Sequence, residues 1–210
     1  MKLTILLIMI NISIFLYSLQ NLNGFVSNYG FSINKIEQKQ YYVLITSMFF
    51  HGSEAHLAYN MLALFFLGIV VEKNIKYWKY LLVYLFSGIL GDLSLYLPFF
   101  GYSKDTIAIG ASAAISGLVG LGSFLFPTKV VIFPTPFPIP FMLAGAIYLL
   151  INFSNLFNPA NIAYSAHIFG LLGGMLFGLI WSKDKKKKIS VFILLLLLIT
   201  GLPLFIGYFF

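Results

Sequence analysis

The sequence contains no cysteine, so disulfides and thiolate metal sites are excluded, and cysteine use says nothing about redox compartment. Charge is scarce too. Charged residues make up 9% of the 210 positions and hydrophobic ones 60%, whereas soluble domains carry about 25% charged residues. That leaves too little polar side chain to cover a soluble fold. The first apolar run ends in Tyr17-Ser18-Leu19-Gln20, which offers no small-x-small cleavage site. It reads as a retained span and not as a removable signal peptide. His51, Glu54 and His56 form no HExxH pattern, and their spacing suits a metal poorly. The net charge of +7 invites a nucleic-acid partner. The lysines fall in short stretches between apolar runs, however, and no soluble domain remains to present a basic face, so none is expected.

What is present is apolar sequence in long runs, with a mean hydropathy of +0.95. Several runs approach or exceed the roughly 20 residues needed to cross a bilayer. Seven spans are predicted, at about 3–19, 55–72, 77–97, 111–127, 140–156, 162–181 and 190–209. The expected fold class is therefore an all-α membrane protein. Residues 20–53 are mixed, holding Lys35, Glu37 and Lys39 beside Phe25, Phe31, Tyr41 and Tyr42. Such a loop could be solvated or could rest in the membrane interface on its aromatic side chains, and the second is expected. Residues 133–140 hold four prolines, which excludes helix and predicts an exposed turn.

Lysine placement orients the bundle. With the amino terminus cytoplasmic, the inner segments hold Lys2, Lys73, Lys76, Lys79, Lys129, Lys183 and the run 185–188, ten in all. The outer segments hold Lys35, Lys39 and Lys104. That bias follows the positive-inside rule and puts the carboxyl terminus outside. The lysine-rich linker 183–189 serves as a topology anchor, with anionic-lipid contact as a consequence. In this frame His56 and Asn60 (span two), Asp92 (span three), Ser112 (span four) and His167 (span six) all lie in the outer half of the membrane. Polar groups in lipid face a bundle interior or a wet cavity. Four helices bringing hydroxyl, imidazole, amide and carboxylate to one level mark a site.

Ser112 sits at a helix start within Gly110-Ala111-Ser112-Ala113-Ala114-Ile115-Ser116-Gly117. A reachable hydroxyl beside unpaired first-turn N–H groups meets two needs of acyl transfer. The octapeptide alone also suits plain close packing of membrane helices. His167 precedes Gly170 and Gly174, which form a small-xxx-small face. A second small face on the serine helix would let the two backbones approach until the imidazole reaches the hydroxyl and serves as general base. A lone intramembrane histidine suits pore lining or structure equally well; the paired small faces favour a Ser–His pair. His56 and Asn60, four apart, share a helix face and could donate to an oxyanion opposite the serine. His51 reads as interfacial or structural. Asp92 could complete a triad or serve a structural hydrogen bond.

Three separated blocks resemble the rhomboid family of intramembrane serine proteases. His51 through Asn60 is similar to the second-helix block with its His-x-x-x-Asn element, Gly110-Ala111-Ser112 to the catalytic Gly-x-Ser, and Ala166-His167-x-x-Gly170-x-x-x-Gly174 to the catalytic sixth helix. The resemblance covers about residues 1–182 and implies a rhomboid-like six-helix core, with residues 20–50 as the first extracytoplasmic loop and 190–210 as an additional helix. It implies Ser112 as nucleophile, His167 as base, and an oxyanion hole from His56, Asn60 and the Ser112 N–H. Glu72 matches a structural glutamate, and the fifth helix with residues 154–161 matches a lateral gate and cap. No cofactor is called for, and the partners implied are transmembrane protein substrates and the lipid bilayer.

Three positions depart from the family pattern. Tyr42 is followed by Val43, so an arginine anchor for the first loop is missing; Ser116 stands where a tyrosine often stacks on the catalytic imidazole; Ala113 replaces the usual glycine after the nucleophile. Two rival readings are a non-catalytic relative that escorts membrane clients and a transporter. The internal repeat expected of a transporter is not visible.

Overall fold

A computed structural model describes residues 1–132, 135–157 and 163–209, with side chains through Gly201. The chain is predominantly helical. Helix α1 (Lys2–Ser18) opens it. Three short helices follow, α2 (Leu22–Tyr29), α3 (Ile33–Glu37) and α4 (Val43–Thr46). Then come α5 (Glu54–Glu72), α6 (Tyr77–Leu93) and α7 (Ser112–Leu125). Strands β1 (Val130–Val131) and β2 (Ile139–Pro140) form an antiparallel pair. The chain ends with α8 (Phe141–Ser154), α9 (Tyr164–Trp181) and α10 (Lys185–Phe209).

Helix ends follow local chemistry. Ser53 caps α5, its Oγ accepting the N–H of His56 at 3.1 Å, with Glu54 in the first turn where the helix dipole favours an anion. Glu72, at the far end of α5, caps a different helix. Its carboxylate accepts the N–H groups of Leu3 and Thr4, both at 2.9 Å, and so ties the start of α1 to the end of α5.

Among the described residues, three helical stretches are long and apolar enough to cross a bilayer: Lys2–Tyr29, Glu54–Glu72 and Tyr164–Trp181. Helices α7 and α8 are apolar but have 14 residues each, about 21 Å at 1.5 Å per residue. Helix α7 is buried at every position from Ala113 to Phe124, so it is surrounded by protein instead of lipid. That enclosure depends on small residues. A Cβ at Gly174 would lie 1.8 Å from the Gly117 carbonyl oxygen, one at Gly170 2.2 Å from that of Ala113, and one at Gly120 2.0 Å from that of Leu171. Helices α7 and α9 thus meet backbone to backbone, as the two small faces predicted.

The predicted spans recur as helices with shifted ends. The third stops at Leu93 and continues as a 3-10 turn, Ser94–Tyr96. The seventh begins at Lys185, inside the lysine run, so most of the expected linker 183–189 is helix. Lys188 Nζ donates to the Phe124 carbonyl at 3.0 Å, and Phe192 packs on Phe124 at 5.2 Å between ring centroids. The first loop is largely helical. Its rings stack in a row, Phe25 on Phe50 at 6.2 Å and Phe50 on Tyr29 at 4.9 Å. In the proline-rich turn Ile139 and Pro140 pair with β1, while residues 133–134 lie outside the described residues, as do residues 158–161 of the expected cap.

Candidate functional site

Helix α7 begins at Ser112, and the turn before it is tightly held. Gly110 has φ +108°, a left-handed conformation that suits glycine. A Cβ there would also lie 2.6 Å from His56 Nε2, so the ring lies directly against the glycine. The Gly110 N–H donates to the Ser47 carbonyl at 2.9 Å, and the Ala111 N–H to His51 Nε2 at 3.4 Å. Ser47 Oγ donates to Asp92 Oδ2 at 2.6 Å. His51, fully buried, therefore has a structural partner, and Asp92 bonds to Ser47. Sequence reading gave Ser47 no part in this.

His167 lies on α9, half-buried like Ser112. Its Nε2 is 2.9 Å from Ser112 Oγ, and its Nδ1 is 2.8 Å from Asn152 Oδ1 on α8. The ring of Tyr148, also from α8, lies 6.2 Å from the imidazole centroid at a 33° tilt, and Tyr164 approaches edge-on at 6.3 Å. Neither Asn152 nor Tyr148 was anticipated from sequence. A polar residue near the end of an apolar run is the only signal Asn152 offers, and helix ends carry such residues routinely.

On α5, His56 packs edge-to-face on His51 at 5.0 Å. Asn60 is buried, and its Nδ2 donates to the His56 carbonyl at 2.8 Å. Gly170 and Gly174 bring α9 onto α7, and Glu72 stands at the opposite end of α5 as the cap of α1. Among the described residues, no three or more His, Cys, Asp or Glu side chains gather closely enough to hold a metal ion.

The departures have local counterparts. The Ala113 methyl faces Gly91 of α6, where an added Cβ would lie 2.5 Å away, so space for the methyl comes from α6. Val43 is fully buried beside Phe31 and Leu95. Lys35, half-buried, donates from Nζ to the carbonyl of Gly30 at 2.7 Å and also to that of Ser27. Burial lowers its pKa from the usual lysine value. Residues 27–43 are thus fixed by apolar packing and by the Lys35 hydrogen bonds.

The arrangement joins an alcohol, an imidazole and an amide in sequence, Ser112 to His167 to Asn152. Residues 38–184 match the Rhomboid family, described as the Rhomboid domain. The chain is 32% identical over 151 residues to the putative rhomboid protease YdcA of Bacillus subtilis, covering 71% of each chain. It is 31% identical to the rhomboid protease GluP of the same organism over 82% of this chain and 34% of the relative. To the rhomboid protease AarA of Providencia stuartii it is 33% identical over 65% of this chain and 55% of the relative. It therefore spans about a third of the first of those two relatives and just over half of the second. With its apolar helices and this match, the chain is a multi-pass membrane protein and belongs to the rhomboid family.

Proposed function

We propose that this chain is an intramembrane serine endopeptidase that hydrolyses peptide bonds in or near the transmembrane helices of membrane-protein substrates. The 2.9 Å separation of Ser112 Oγ and His167 Nε2 carries the reading. Nε2 takes the hydroxyl proton as Oγ attacks the scissile carbonyl carbon. The C–N bond then breaks, and the imidazolium gives the proton to the leaving amine. In the second half, water attacks the ester, its proton passes to Nε2, and the serine leaves as the alcohol.

The developing oxyanion is held by the Ser112 N–H, His56 and Asn60. Asn60 still has a second N–H to offer beyond the one bonded in its own helix. One such donor is worth about 3–4 kcal/mol in the transition state. Gly110 lets His56 approach the turn, Gly170 and Gly174 set the distance between α7 and α9, and Glu72 holds α1 on α5.

With seven crossings, the amino terminus is cytoplasmic, the carboxyl terminus lies outside, and the protein resides in the cell membrane. The site then opens to external water, and substrates are cut near their outer ends after local unwinding. Purified protein in detergent is tested on a labelled transmembrane substrate beside Ser112→Ala and His167→Ala. Either change should abolish cleavage with expression and folding near normal. Cleavage that survives Ser112→Ala refutes the assignment.

A further inference from the structure

Asn152 is 3% exposed and has two partners of opposite character. Its Nδ2 donates to the Tyr148 carbonyl one turn earlier in α8, at 2.8 Å. A carbonyl can only accept, so this bond fixes which end of the amide is nitrogen. The other end, Oδ1, is the atom 2.8 Å from His167 Nδ1. An amide oxygen also only accepts, so Nδ1 must carry the hydrogen. In a neutral imidazole that leaves Nε2 with its lone pair, and Nε2 faces the Ser112 hydroxyl at 2.9 Å. The competing tautomer, protonated on Nε2, cannot accept the serine proton at all.

We propose that Asn152 is a positioning residue, the third member of a Ser112–His167–Asn152 line, which holds His167 in the tautomer and orientation that general-base catalysis needs. The inference rests on the reading of Ser112 and His167 as the reacting pair. The third group comes from α8, a helix that contributes neither reacting atom. It is a neutral amide. It therefore orients the ring without the strong bias toward the charged imidazole that a carboxylate would impose. Tyr148, whose carbonyl fixes the amide, also lays its own ring against the imidazole. One turn of α8 thus sets both the plane and the protonation pattern of His167.

The test measures cleavage of a labelled transmembrane substrate in detergent across a range of pH by wild type, Ser112→Ala, Asn152→Ala and Asn152→Asp. For Asn152→Ala, kcat should fall on the order of tenfold to a hundredfold, by analogy with the loss of a group that orients a metal-bound histidine, with KM little changed. The acid limb of kcat/KM should move to lower pH, because the imidazolium loses an acceptor. Asn152→Asp should move that limb to higher pH, because an adjacent carboxylate favours the charged ring, and above the limb it should recover part of the rate lost in Asn152→Ala.

An unmoved acid limb in both variants, whatever the rate, overturns the proposal, since a packing role alone does not alter the titration of His167. Should Asn152→Ala fail to fold, the near-isosteric Asn152→Asp decides by its pH profile. Cleavage that persists in Ser112→Ala, or a wild type that never cleaves, removes the reacting pair and this inference with it. Ser112-dependent cleavage with normal Asn152 variants removes the inference alone.

Discussion

Tyr148 and Ser116 join hydroxyl to hydroxyl at 2.8 Å, across the interface between α8 and α7. Ser116 occupies the position at which the resemblance leads one to expect a tyrosine against the imidazole. Here a tyrosine reaches the imidazole from the neighbouring helix, and the small serine provides both the space and the bond that hold it. Tyr148→Phe keeps the ring and loses the bond, so it should cost about 1 kcal/mol of stability. Tyr148→Ala removes the ring and should cost roughly 3–5 kcal/mol. Thermal unfolding in detergent measures both. Ser116→Ala combined with Tyr148→Phe should cost less than the sum of the single changes, because both remove the same bond.

The contact between α7 and α9 leaves no space for a methyl group. Gly174→Ala places a carbon 1.8 Å from the Gly117 carbonyl oxygen, and overpacking of this kind costs about 1–3 kcal/mol or more. Because the same contact sets the distance from Ser112 to His167, cleavage should fall along with the melting temperature. Gly52→Ala is the control. Its added carbon would meet only Ile109, at an ordinary 3.4 Å, and it should leave both readouts near wild type.

Gly91 and Ala113 form a matched pair across α6 and α7. Gly91→Ala alone should destabilise, since its methyl would lie 2.5 Å from that of Ala113 and 2.7 Å from the Ala166 carbonyl oxygen. Adding Ala113→Gly removes the first clash and leaves the second. The double variant should therefore unfold between wild type and Gly91→Ala, and a melting temperature at or below that of Gly91→Ala would contradict the pairing.

Glu72 accepts two first-turn N–H groups of α1 and so acts as an N-cap supplied from another helix. Glu72→Ala should cost about 1–2 kcal/mol. The loss should appear first as faster hydrogen exchange in α1, with exchange in α7 and α9 nearly unchanged.

Long apolar runs made the helices legible, since nothing else accommodates them. The ends were less so. The third span stops at Leu93 because the next turn tightens to 3-10 geometry, and the last helix starts at Lys185 because lysine is a good helix former and Lys188 in its first turn is held by the Phe124 carbonyl. The closeness of Ser112 and His167 was legible because small residues accompany each in sequence, and the Gly170–Gly174 face announced the approach of the two backbones. Asn152 and Tyr148 were not. Each is an ordinary residue of an apolar helix, and only the rotation of α8 against α9 turns them toward the imidazole. The helices of the first loop were hidden for another reason: each is short, and α2 is held by the stacking of its Phe25 and Tyr29 on Phe50 more than by local propensity.

A fluorophosphonate attacks only a serine whose hydroxyl is activated, and it needs no knowledge of the substrate. Reacting the purified protein with this reagent and mapping the adduct by mass spectrometry should find Ser112 alone modified, with the adduct lost in His167→Ala. A wild-type protein left unlabelled at Ser112, or one labelled equally well without His167, would contradict the pairing of hydroxyl and imidazole on which the proposed activity stands.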